Sequence, residues 1–139
     1  MRKKFEIIEH TADVGIAAYG TDLREAFANA AYGLFSLITD IDSVGEDVRH
    51  DVEVTADNRE ELLVAWLSEL IYLFEVEGVL FSRFDIAGLG EKKLKAACFG
   101  ERIDPRRHDI KTGVKAATYH MLRVEQGEDG CRVQVLFDI

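Results

Sequence analysis

Residues 131–139 read CRVQVLFDI, and the reading of this stretch decides the fold. Apolar side chains recur at every second position. Cys131, Val133, Val135, Phe137 and Ile139 fall on one face, and Arg132, Gln134, Leu136 and Asp138 on the other. Period two is the spacing of a β-strand. Such a strand needs neighbours, and the segments before it supply them: VLFSRFDIAGLG from Val79, KKLKAACFGERI from Lys92 and KAATYHMLRVEQ from Lys115. Glycine-bearing turns, GLGE and GEDG, separate several of these runs. In the last of them the alternation sets Thr118, His120 and Leu122 toward one side and Tyr119, Met121 and Arg123 toward the other.

Further upstream the period changes. KFEIIEH and VGIAAYG read as two short strands connected through TAD. Thr21 or Asp22 then caps a helix, with Glu25 placed as a capping box requires. Leu23, Phe27, Ala30, Leu34, Phe35 and Ile38 form its apolar stripe. DVRHDVEVTA, Asp47 to Ala56, alternates Val48, Val52 and Val54 with polar residues and reads as a half-buried strand. Asp57 with Glu60 repeats the capping arrangement. The helix that follows carries Leu63, Trp66, Leu67, Leu70, Ile71 and Phe74 inward and stops at Gly78. Helices followed by a run of strands imply an α+β fold: a single two-layer domain with two amphipathic helices packed on a mixed, largely antiparallel β-sheet. No linker or repeat interrupts residues 1–139, which read as one domain.

The 139 residues suffice to bury roughly two thirds of the surface the unfolded chain exposes. With 47% apolar residues and a single proline, Pro105, the composition is that of a compact globule. The longest apolar stretch, Leu62 to Phe81, is interrupted by glutamates, and MRKKFEIIEH has no apolar signal core. A cytoplasmic location with no membrane association is expected. Cys98 and Cys131 have no His or Cys at zinc-site spacing and read as reduced thiols packed in strands. The net charge of −9 argues against direct gripping of RNA or DNA, which rests on lysines and arginines displacing counterions. Basic residues do collect in EKKLK and DPRRH, where a solvated surface accounts for them.

Three polar stretches have chemistry that packing does not require. In HTAD, His10 to Asp13, the aspartate either accepts backbone N–H bonds in the turn or stands at a sheet end free to bind a cation. In RRHDIKTGVKAATYH, Arg106 to His120, Lys115 and His120 read either as an anion grip with an acid/base partner or as scaffolding. At the end, a strand paired throughout brings the Asp138 side chain close to a main-chain carboxylate on Ile139. Two such anions repel unless a cation or N–H donors lie between them. With Asp13 the group becomes three carboxylates, which suits a hard divalent cation, Ca²⁺ or Mg²⁺, bound through oxygen rather than zinc. Whether Asp13 and Asp138 meet depends on the fold.

Over essentially its whole length the chain resembles the archease family. The similarity is carried by the order and spacing of HTAD, LREAFANAAYGLF followed by ITD, ELLVAWLSELIYLFE, GERIDPRRH, VKAATYH and the closing FDI. The resemblance implies an accessory protein of the RtcB-type RNA ligase of tRNA splicing and RNA repair. Such a protein promotes guanylylation of the ligase's active-site histidine, speeds its turnover and broadens its choice of nucleotide. It would meet RNA only through the ligase. The resemblance also implies a divalent metal, calcium foremost with magnesium or manganese as alternatives, at the chain end. Its ligands fall by motif match on Asp13, Asp138 and the carboxylate of Ile139, and its neighbouring basic residue on Lys115. His10, Asp40, Thr118 and His120 match recurring polar positions. The sequence departs from the family pattern at Gly113, where an acidic residue often precedes VK, and at Ala117, where valine is common; neither removes a ligand.

Two rival functions stand beside this one. A stand-alone metal-dependent hydrolase or phosphotransferase would centre on Asp13, Asp138 and His120, although no phosphate-cradling glycine loop or nucleophile motif is legible. A general chaperone or interaction module would use the acidic surface as a solubilising handle and need no metal.

Overall fold

The structure, a computed structural model, describes residues 3–9 and 13–139. Strands β1 (Phe5–Glu9) and β2 (Val14–Gly20) precede helix α1 (Leu23–Ile38). A single 3₁₀ turn (Ile41–Ser43) leads into β3 (Val48–Thr55) and helix α2 (Arg59–Glu77). Strands β4 (Val79–Leu89), β5 (Lys93–Arg102), β6 (Ala116–Gly127) and β7 (Gly130–Asp138) complete the chain.

Each helix begins where a side chain satisfies its first free N–H groups. Asp22 Oδ1 accepts the Glu25 N–H at 2.9 Å, and Glu25 Oε1 accepts the Thr21 N–H at 2.8 Å, closing the expected box. At α2 the cap is Asn58, not Asp57. Its extended backbone lets Oδ1 accept the Glu61 N–H at 2.8 Å, so the helix starts one residue later than the Asp57–Glu60 spacing suggests. Gly78, at φ 67 in the left-handed region, ends α2 as expected.

The α+β architecture is the one expected, and the strands divide between two sheets instead of sharing one. One sheet has the order β1-β2-β7-β6, the other β3-β5-β4, and every pairing among the described residues is antiparallel. Helix α1 explains the division: it packs against β1, β2 and β7 of one sheet and β4 of the other. Its Ala26, Phe27, Ala30, Ala31, Leu34, Phe35 and Ile38 are all fully buried. A helix covered on both flanks separates two sheets and makes one core between them. The indole N–H of Trp66 on α2 donates to the Phe27 carbonyl of α1 at 3.0 Å, satisfying the one polar atom of the largest buried side chain.

The closing strand is central, between β2 and β6. Its expected inward face, Val133, Val135 and Phe137, is buried in the core. Its other face is largely covered too, with Gln134 and Leu136 buried. Leu136 lies across Gly15 of β2, where any Cβ would sit 2.3 Å from Leu136 Cδ2. Neither Cys98 nor Cys131 is in a disulfide, and both are buried, as expected. Burial, helped by the Asp51 and Asp85 carboxylates, pushes the Cys98 thiol up to about 12, leaving it unreactive at neutral pH. No described helix is long and apolar enough to cross a membrane.

Candidate functional site at one end of the four-stranded sheet

The site is set by strand register. The β2–β7 ladder runs from Gly20↔Cys131 to Val14↔Phe137. One step further along the same antiparallel register, Asp13 stands opposite Asp138. Residues opposite one another project to the same side. This is the side of Gly15 and Leu136, away from the α1 core. On the other flank of β7, Ala116 pairs with Asp138, and the Lys115 N–H donates to the Asp138 carbonyl at 2.8 Å. Asp13, Asp138 and Lys115, distant in sequence, therefore fall at the same end of three adjacent strands, Asp13 and Lys115 each one residue outside its strand. Asp13 is half-buried, Asp138 and Lys115 are exposed, and Ile139 is 51% exposed. Of the expected companions, His10 lies outside the described residues.

The oxygen donors here fit a hard cation better than zinc. Among the described residues no three His, Cys, Asp or Glu side chains gather closely enough to hold a metal. A cation bound here would have the Asp13 and Asp138 carboxylates as its side-chain donors, two where a three-ligand cluster is not found. Oxygen-only, partly open coordination suits Ca²⁺ or Mg²⁺.

His120 does not take the ladder position that simple alternation gave it. Between Thr118↔Leu136 and Arg123↔Gln134, the four residues Tyr119 to Leu122 stand against the single Val135, so β6 bulges. Met121 adopts φ 56. The bulge breaks the two-sided alternation of Thr118 to Arg123, and Arg123 takes the place opposite Gln134 that an uninterrupted ladder would give His120. His120 is exposed, and its N–H donates to Thr118 Oγ1 at 3.4 Å. Asp40 serves the 3₁₀ turn: its Oδ1 accepts the Asp42 N–H at 3.3 Å, and its carbonyl accepts from Ser43 Oγ at 2.7 Å.

What sequence reasoning missed is the anchor of the loop leading to Lys115. Glu101, at the end of β5, accepts the Gly45 N–H at 2.8 Å, pairs with Arg107, and accepts from His108 Nε2 at 2.9 Å. His108 is only 3% exposed. Its Nδ1 accepts the Asp104 N–H at 2.9 Å, so its ring proton sits on Nε2 and points at Glu101. The Gly45 N–H first, then His108 and Arg107, hold the Glu101 carboxyl down at about 2 against the opposing effect of burial. Beyond His108 the loop is pinned again. Thr39 Oγ1 donates to the Asp109 carbonyl at 2.7 Å, the Lys111 N–H to the Ile38 carbonyl at 2.7 Å, and Val114 is fully buried. The DPRRH run is thus only partly the solvated surface it was read as. The Arg106 side chain is 91% exposed, whereas Arg107 and His108 are structural. The available signal was the polar pair Glu101 and His108 at either end of a short loop, and nothing in its spacing separates it from surface charge.

A sequence model described as the Archease protein family (MTH1598/TM1083) matches residues 5–139. The chain is 43% identical to the protein archease of Methanosarcina acetivorans, over 99% of this chain and 97% of that one. It is 39% identical to that of Pyrococcus furiosus, over 92% of each. Among solved structures it resembles protein 1598 of Methanobacterium thermoautotrophicum, with TM-score 0.84, 34% identity, and coverage of 98% of this chain and 99% of that one. It also resembles an archease from Thermotoga maritima described as a possible chaperone, with TM-score 0.66, 26% identity, and coverage of 100% of this chain and 98% of that one. The α+β fold, the family model over residues 5–139 and these full-length likenesses agree: the chain belongs to the archease family.

Proposed function

We propose that this protein is a non-catalytic activator of an RtcB-type RNA ligase, acting in the cytoplasm through the end of the four-stranded sheet. The observation that supports the reading is the β2–β7 register, which carried one step past Val14↔Phe137 brings Asp13 toward Asp138, together with the backbone bond from the Lys115 N–H to the Asp138 carbonyl. Asp13, Asp138 and the main-chain carboxylate of Ile139 would hold a divalent cation, with calcium the first candidate. When bound, that ion would supply positive charge against a phosphate. The chain's own part would be to present two carboxylates and the exposed Lys115 at one sheet end, the ammonium adding positive charge toward an incoming anion. His10 and His120 are assigned to contact with the ligase.

The test is guanylylation of the ligase histidine with the unsubstituted protein, Asp13→Asn, Lys115→Ala and Asp138→Asn. Each substitution is expected to abolish stimulation while thermal unfolding stays close to that of the parent; undiminished stimulation by all of them overturns the reading. A tag placed after Ile139 should weaken calcium binding measured by calorimetry, and one placed before Met1 should not. The chaperone description of the Thermotoga maritima relative favours a second reading, which predicts stabilisation of unrelated client proteins and no metal dependence.

A further inference from the structure

We propose that the β6 bulge and the neighbouring flank of α2 form the surface on which the partner protein docks, and that its occupant is a lysine- or arginine-bearing segment of that partner laying apolar side chains against Tyr119. The inference rests on the activator reading for the partner's identity, but it concerns a different surface from the carboxylate pair.

Tyr119 is 64% exposed and Met121 47% exposed, although both lie in a strand. Their presentation is built. Met121 holds φ 56, a left-handed conformation that a non-glycine residue rarely adopts. Gln134, 6% exposed, turns its Nε2 to the Met121 carbonyl at 3.0 Å and fixes the bulge from below. Bulges that re-aim side chains cluster beside functional sites.

Tyr119 forms one wall of a groove of about 470 Å³ with Thr55, Asp57, Glu61, Val64 and Ser68. The α2 stripe continues from Ser68 at four-residue spacing to Tyr72, 50% exposed, and Val76, 64% exposed. The charge names the occupant. Asp57 and Glu61 are the charged residues lining the groove, with no lysine or arginine among them. Helix α2 carries Glu60, Glu61, Glu69, Glu75 and Glu77 against one cation, Arg59, whose Nη1 already donates to Gln126 at 3.3 Å. A groove with one aromatic wall, a polar floor and carboxylates but no cation complements a basic amphipathic segment. The same strand carries Ala116, paired to Asp138, about 10 Å away at ordinary strand rise. A segment seated on Tyr119 therefore brings its protein within reach of the sheet end.

The affinity of the intact chain for the ligase, measured by calorimetry, tests this. Tyr119→Ser and Glu61→Lys should each weaken binding about tenfold or more, Tyr119→Phe should bind within about twofold of the parent, and all should reach full stimulation at saturation. Asp138→Asn should show the opposite pattern, parental affinity with stimulation lost. Parental affinity in both Tyr119→Ser and Glu61→Lys overturns the docking surface and leaves the activator reading standing. Failure of the unsubstituted chain to bind the ligase overturns the activator reading, and this docking with it.

Discussion

At the scale of single residues, the two most consequential acids differ in kind. Asp138 is exposed and stabilises nothing that its carboxamide would not, so Asp138→Asn should shift unfolding by less than about 0.5 kcal/mol while removing activity. Glu101 is the reverse. Its side chain is 12% exposed, and it holds Gly45, Arg107 and His108 at once. Glu101→Ala strands these donors, and denaturant unfolding should show a loss of about 2–4 kcal/mol. The pH dependence has a definite sign. A carboxyl lowered from 4.5 to about 2 in the folded state contributes stability that is fully present above about pH 4.5 and is lost as pH falls toward 2. Unfolding curves across that acid window should lose this dependence in Glu101→Gln and keep it in Asp138→Asn. The sequence offered no means of ranking these two acids. Asp138 stood out because it ends an alternating strand, and Glu101 is one glutamate among many until the loop folds back on it.

At the scale of elements, the secondary structure was legible because each period is backed by a matching stop or start. Helix α2 begins at Asn58 and ends at left-handed Gly78. Asn58→Ala should cost about 1 kcal/mol, as should Gly78→Ala, and Asp57→Ala distinctly less. The one element whose internal pattern misleads is β6. Alternation over Ala116 to Gln126 looks uninterrupted, yet four residues face one across the ladder. What holds the bulge is in part a contact from β7, the buried amide of Gln134 donating to the Met121 carbonyl, and such a partner is invisible in the sequence of β6 itself. Gln134→Leu should leave that carbonyl unpaired. We expect about 1–2 kcal/mol of destabilisation and faster amide exchange confined to residues 119–122.

At the scale of the whole molecule, α1 decides the architecture. A helix buried on both flanks needs two surfaces to cover it, and the strands divide accordingly. The class was readable from helices followed by strands. The division into two sheets was not, because strand pairing is a long-range property and each strand's period is the same in either arrangement. The same holds for the site: HTAD and FDI each carried a carboxylate, and only the β2–β7 register joins them. With a net charge of −9, the protein offers little to nucleic acid directly, which fits an agent that acts through another protein.

The most direct measurement is a time course of ligase guanylylation with this protein at a small fraction of the ligase concentration. The account predicts that every ligase molecule becomes guanylylated over repeated rounds, and that Asp138→Asn at the same fraction leaves the rate at its unassisted level. Guanylylation that stops at one ligase per molecule of this protein, or that proceeds equally with Asp138→Asn, would contradict it.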